Sequence, residues 1–218
     1  MRKLELILLA CFMLALDIKG QSGLFMRTQF WGSQLEISWL YFTDKKVIRN
    51  PMHGVNPIQL EKELATNSKN IADYTLAGNK MNLKWGDGRA HTVNVEFKNG
   101  VLSAFDGGLC GKTKPFPYKY FPDLTYSGLA SYGNVTRSVT MFLGKDGKFR
   151  SDIIGAVSGS GNFTGVASST NSKSGTYSIN GNTINFRYDD GSEWRPIAQP
   201  YDMGKQEMII GDQLFKKN

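Results

Sequence analysis

Tyr74-Thr-Leu-Ala-Gly78-Asn79-Lys-Met81-Asn82-Leu83-Lys84-Trp85-Gly-Asp87-Gly88 returns from position 177 as Tyr177-Ser-Ile-Asn-Gly181-Asn182-Thr-Ile184-Asn185-Phe186-Arg187-Tyr188-Asp-Asp190-Gly191. The offset is 103 throughout this block, and it is 104 for the preceding Thr66-Asn67-Ser68-Lys69, which recurs at Thr170-Asn171-Ser172-Lys173. A repeat of this size fixes architecture before any local assignment, because each copy must be a unit of the same kind. Within the block, apolar residues alternate with polar ones. Met81, Leu83 and Trp85 share one face and Asn82 and Lys84 the other, and Ile184, Phe186 and Tyr188 stand against Asn185 and Arg187 in the same way. Period two means strands with one buried and one polar face. The Gly78-Asn79 and Gly181-Asn182 pairs supply the turn between two such strands.

The remaining segments extend this pattern. Leu35 to Phe42 alternates, Asp44-Lys45-Lys46 turns into Val47-Ile48-Arg49, and Ser138 to Leu143 with Lys148-Phe149-Arg150 repeats that hairpin around Asp146-Gly147. Residues 21–34 read as a lead-in to the first strand. Val101 to Phe105 and Met208 to Leu214 read as the last strand of each copy, giving about five or six strands apiece. Asn56-Pro57 before Ile58-Gln-Leu60-Glu-Lys-Glu-Leu64 predicts one short helix at 57–65, with Asn56 as its cap and Leu60 and Leu64 on one side. The fold class is therefore all-β: an antiparallel meander barrel or two abutting half-barrels built from an internal repeat, with one short helix. The expected divisions are a signal peptide at 1–20, a first repeat at 21–110, a linker at 111–123 and a second repeat at 124–218, the repeats forming one compact unit.

Arg2 and Lys3, the apolar run Leu6 to Ala15 and the small Gly20 follow the order of a secretory signal peptide. The run is shorter than the ~20 residues a membrane-spanning helix needs. Cleavage near Gly20–Gln21 and a secreted or periplasmic location are expected. Leu8-Leu9-Ala10-Cys11 has the outline of a lipoprotein signal, but Phe12 to Leu16 stays apolar where an acylated chain turns polar. Loss of residues 1–20 moves the net charge only from +7 to +6. Without a dense Lys/Arg run, this reads as solvated surface, and no nucleic-acid partner is expected. Cys110 is then the one cysteine left, without a partner for a disulfide, and it reads as a small core hydrophobe.

No catalytic set stands out. His53 and His91 lie in different elements with no Cys or carboxylate at ligand spacing, so neither metal nor cofactor is expected. Gly159-Ser160-Gly161 lacks the strand-to-helix setting of a nucleophile elbow. Asp87, Asp189 and Asp190 sit beside turn glycines, where structural roles account for them.

The Phe-bearing strand before Asp146-Gly147, then Lys148-Phe149-Arg150, Gly175-Thr-Tyr177-Ser-Ile179-Asn-Gly181-Asn182-Thr-Ile184 and Asp189-Asp190-Gly191, resembles the up-and-down meander of lipocalin-like (calycin-type) exported proteins. The resemblance covers 139–191 and, more faintly, 39–105. It lacks the Gly-x-Trp of true lipocalins at Trp31 and Trp39. It implies a non-catalytic binder of a small amphipathic ligand or an envelope component. Trp85, Tyr188 and Trp194 are the candidate stacking residues, and Lys84 and Arg187 the candidate polar contacts. The alternative is a cell-surface interaction protein, an adhesin or inhibitor, using the Gly/Ser-rich loop at 155–174.

Overall fold

The computed structural model describes residues 21–32, 34–116, 123–132, 135–157 and 169–218. The expected signal peptide at 1–20, the heart of the linker at 117–122 and the loop tip at 158–168 lie outside them. The first copy forms a closed barrel of eight antiparallel strands. They are β1 (Gly23–Trp31), β2 (Gln34–Phe42), β3 (Lys46–Arg49), β4 (Ile71–Ala77), β5 (Lys80–Trp85), β6 (Ala90–Lys98), β7 (Val101–Phe105) and β8 (Gly108–Lys112). β8 closes on β1 through Phe25↔Lys112 to Thr28↔Leu109. The segment read as a lead-in is thus a nine-residue strand, and the count rises from five or six to eight. Its Gly and polar residues hid an alternation of Leu24, Met26 and Thr28 against Phe25 and Arg27.

The second copy is a nine-stranded curled sheet in the order β14-β13-β12-β11-β10-β9-β17-β16-β15. Its strands are β9 (Leu124–Tyr132), β10 (Val135–Leu143), β11 (Lys148–Val157), β12 (Ser169–Asn180), β13 (Thr183–Tyr188), β14 (Glu193–Trp194), β15 (Ala198–Asp202), β16 (Glu207–Ile210) and β17 (Gln213–Lys217). β17 returns to β9 as β8 returns to β1. The curl draws its ends together: the Ile184 N–H donates to Pro196 O, the Ala198 N–H donates to Asn182 O, and Thr183 bridges Ile197. The repeated block has the same register in both copies, with Tyr74↔Leu83 and Leu76↔Met81 matched by Tyr177↔Phe186 and Ile179↔Ile184. Gly78 and Gly181, at φ +60° and +57°, take the left-handed turn position that favours glycine.

Each unit has its own core. In the barrel, Phe42 meets Phe25, Tyr74 and Phe105 edge-on, among Met81, Leu83, Val93 and Val95. In the sheet, Phe149 meets Phe186 and Tyr188 edge-on, among Met141, Ile184, Met208 and Phe215. Such aromatic pairs add about 0.5–1.5 kcal/mol beyond area burial. A third apolar cluster lies between the units. It joins Leu24, Ile37 and Trp39 from the outer face of β1 and β2 to Val55, Ile197 and Ile209, with Met26, Tyr41, Ile58 and Leu214 at its border. Strands β1, β2 and β16 are therefore apolar on both faces, which is why Trp39-Leu-Tyr-Phe42 and Met208-Ile-Ile210 read as unbroken runs.

The single helix, α1 (Leu60–Thr66), starts later than expected, at an N-cap position held by Gln59. Asn56 is engaged elsewhere. Its Oδ1 accepts the Asn182 N–H at 2.9 Å and its carbonyl accepts from Asn180 Nδ2 at 3.0 Å, so it clamps the second copy's hairpin turn. The buried helix face is also not the expected one. Leu64 is 42% exposed, while Glu63 is fully buried, accepting the Met52 and His53 N–H groups at 2.7 Å and Asn67 Nδ2 at 2.9 Å. A buried carboxylate holds its place only with such a set of donors.

The two Gly-Asn turns give a direct comparison. Asn182 is buried and donates to Lys114 O at 2.7 Å and to Ala198 O at 3.2 Å, whereas Asn79 is exposed. Asn182→Ala should cost about 1–3 kcal/mol of unfolding free energy, and Asn79→Ala less than about 0.5 kcal/mol. Urea titrations of both variants measure the difference; equal effects would contradict the anchoring of this turn by the Asn182 side chain.

Candidate functional site

Strand β14 is only two residues long and pairs with β13 through Phe186↔Trp194 and Arg187↔Glu193. It forms a ridge between two depressions. On one side lies a cleft of about 280 Å3 at the junction of the two units, walled by Trp39, Pro51, Met52, Trp194, Pro196 and Ile197, with Asn50 and Asp212 among its polar groups. Trp39 is almost fully buried, its indole N–H donating to Gly211 O across the junction. Trp194 is 39% exposed and stacks on Phe186 with ring centroids 5.3 Å apart, and Met52 is 57% exposed. On the other side lies a polar groove of about 410 Å3 with Thr176, Ser178, Asn185, Arg187 and Glu193 in its lining.

Arg195 lines both depressions. Its Nε donates to Asn185 Oδ1 at 2.7 Å, which fixes the guanidinium, and no carboxylate lies within 4 Å of it among the described residues. Arg187 differs, since its fork is taken by Glu193 Oε1 at 3.1 Å. The arrangement is an apolar cleft meeting a polar groove at a positioned guanidinium. A planar guanidinium of this kind matches carboxylate and phosphate oxygens.

The five residues singled out from sequence are spread over both units. Trp194 walls the cleft and Arg187 lines the groove, so these two flank the same ridge. Tyr188 is half-buried against Phe149, with Lys173 Nζ 4.7 Å from its ring centroid. Trp85 is buried in the first barrel, stacked with His91 at 6.1 Å, and its Nε1 has no hydrogen-bond partner among the described residues. Lys84 is exposed on the opposite face of β5. Sequence reasoning missed Trp39, Met52 and Arg195. The unbroken Trp39–Phe42 run signalled burial on two faces, but nothing in it paired residue 39 with residue 211.

The other candidate chemistry resolves into local structure. Asp87 Oδ1 accepts the Arg89 N–H at 3.1 Å and Asp190 Oδ1 accepts the Ser192 N–H at 2.8 Å, equivalent turns in the two copies. Backbone and side-chain hydrogen bonds from Arg89 hold the Asp87 carboxyl below its ordinary range, and those from Ser192 do the same for Asp190. His53 Nε2 lies 2.7 Å from Thr66 Oγ1 on the α1 loop. No group of three metal-ligating side chains occurs among the described residues. None of their helices is long and apolar enough to cross a membrane.

The fold and site define a class: an all-β protein of two meander units, one a closed eight-stranded barrel of lipocalin-compatible architecture, with a cleft at their junction. Comparison with known proteins finds no matching family model, no matching curated protein and no matching solved structure.

Cys110 packs at the edge of the first barrel's core, as its sequence setting implied. Burial pushes its thiol up to about 12, against the opposing pull of Arg27. Burial also raises the Tyr74 phenol, with Asp44 adding to it, and the Tyr126 phenol, with Tyr177 adding to it. All three hold their protons in the folded state to higher pH than in the unfolded chain. Their contribution to stability is therefore level below the unfolded thiol pKa of about 8.5 and falls as pH rises toward 12. In urea titrations across that range, Cys110→Ala should delay the onset of the fall to about pH 10, where the phenols take over. An unchanged onset would remove the thiol from the account.

Proposed function

We propose that the protein is an exported, non-catalytic binding protein of lipocalin-like type, and that its ligand is a small amphipathic molecule held at the junction of the two units. The observation that carries this reading is the meeting of the apolar cleft and the polar groove at Arg195. The ligand's apolar part lies against Trp194, Met52 and the edge of Trp39, and its polar end reaches Arg195. This places the site outside the barrel, unlike the interior site of the group it resembles. The motivation is packing: the described inward-facing side chains of each unit are in contact with one another. A small barrel filled by its own side chains is a common outcome.

The order of the leader, Arg2-Lys3 followed by Leu6 to Ala15 and Gly20, supports export. A second reading, a surface interaction protein, has a separate observation behind it. β1 and β2 run on beyond their pairing with β8 and β3 as a two-stranded ribbon, and Phe30 and Trp31 near its tip are 69% and 63% exposed.

Tryptophan fluorescence with a series of medium-chain carboxylates and phosphates tests the ligand site. Trp194→Ala should weaken binding about two- to tenfold, since a lost aromatic stack is worth about 0.5–1.5 kcal/mol, and Arg195→Gln about tenfold or more, since a hydrogen bond to a charged group is worth about 1.5–3 kcal/mol. Phe30→Ser/Trp31→Ser should leave it unchanged. Binding of no amphiphile, or full affinity in both site variants, would end the reading.

A further inference from the structure

One rim of the first barrel carries lysine at every connection. Strand registers place Lys46 opposite Asp73, Ala77 opposite Lys80, Lys98 opposite Val101 and Lys112 opposite Phe25, all at the same end. Lys45 lies in the β2–β3 turn and Lys114 follows β8, so Lys45, Lys46, Lys80, Lys98, Lys112 and Lys114 ring this end. Only Lys46 has a carboxylate partner, Asp73 at 2.6 Å. The other five have none within 4 Å among the described residues, and Asp44 is the other acid in these turns.

The second unit treats the equivalent turns differently. There Lys145 pairs with Asp123 at 3.0 Å, Lys148 with Asp146 at 3.8 Å and Lys205 with Asp202 at 3.7 Å. At the end of β17, Lys217 instead donates to Gln206 Oε1 at 2.6 Å, so the two copies differ in how many of the lysines at this end are neutralised. Unpaired like charges gathered on a rim repel one another, so the arrangement adds nothing to folding by itself.

The rim's shape limits what it can meet. Gln21 stoppers the barrel mouth, its Nε2 donating to Gly100 O at 3.1 Å and its Oε1 accepting the Leu102 N–H at 3.0 Å. Tyr74 Oη closes it further by donating to Thr43 O at 3.1 Å. The end is then a closed ring of turns with its charges spread around it, suited to an array of anions rather than to a single ligand. Val101, at 40%, is its one large exposed hydrophobic side chain among the described residues, so contact there is electrostatic.

We propose that the lysine rim docks the first barrel on an anionic lipid surface. Each lysine near such a surface contributes about fivefold to binding, and the attraction fades within a Debye length. The amphipathic-ligand reading is independent of this, since the rim shares no residue with the cleft.

Sedimentation with phosphatidylcholine vesicles, with and without about 30% phosphatidylglycerol, tests it through two variants of equal net charge. K80E/K98E/K112E reverses the unpaired rim, and K145E/K148E/K205E reverses the paired one. The protein should bind only the anionic vesicles, and added salt should release it. The first variant should lose about a hundredfold in affinity and the second less than about tenfold. Circular dichroism melts of both variants should match the parent, which separates lost docking from lost folding. Equal losses would reduce the effect to net charge and overturn the proposal. Absence of anionic-vesicle binding would overturn it too, as would preferential binding of soluble polyphosphate over vesicles.

Discussion

The apolar seam between the two units is the contact on which the rest of the architecture depends. Leu24, Ile37 and Trp39 leave the first barrel's outer face and are buried against Ile197 and Ile209 of the second unit. Fully burying a side chain of this kind contributes about 1.5–3 kcal/mol relative to exposure. Water is also kept from the polar links beside it, among them Val55 N–H to Thr183 Oγ1 at 2.9 Å. Those links hold the second unit's Gly-Asn turn, and the same seam sets the mouth of the cleft that Trp194 and Arg195 occupy. Cleft geometry, turn geometry and unit orientation are one packing problem.

The copies share turns, core positions and register, and they differ in what covers their outer surfaces. The first copy inserts α1 and its loop, pinned by the buried Glu63, and that loop supplies Pro51 and Met52 to the cleft. In the second copy β14 takes the place of the start of β6, and Trp194 stands opposite Phe186 where His91 stands opposite Leu83. The cleft thus joins an inserted loop of the first copy to a strand position that changed residue between the copies. Duplication supplied the scaffold, and divergence of the covering segments supplied the chemistry.

Periodicity made the hairpins legible. Tyr74 opposite Leu83 and Tyr177 opposite Phe186 follow directly from alternation and the Gly-Asn turns. The number of strands was less legible, because Gly23 to Trp31 mixes Gly, Arg and Gln into a strand whose two faces lie in different cores. Arg27 shows why: it is 5% exposed, yet its guanidinium donates to the Phe105 and Asp106 carbonyls at 2.9 Å. A charged residue at a buried position breaks the pattern that marks a strand. Asn56 was misread for a similar reason. Its local sequence fits a helix cap, and a partner 126 residues away took its side chain. Of the site, Trp194 and Arg187 could be picked out as candidates, while Trp39, Met52 and Arg195 acquire meaning only once the units are packed together.

The Asn56 clamp has a consequence for the history of such a chain. A Cβ on Gly181 would fall 2.5 Å from the Asn56 side chain, and Trp39 reaches across to a carbonyl of the second unit. Once those dependencies existed, neither half could be released as a free-standing module without baring its seam and orphaning its turn. A repeat that began as two interchangeable copies has become a pair of obligate complements, inherited or lost together.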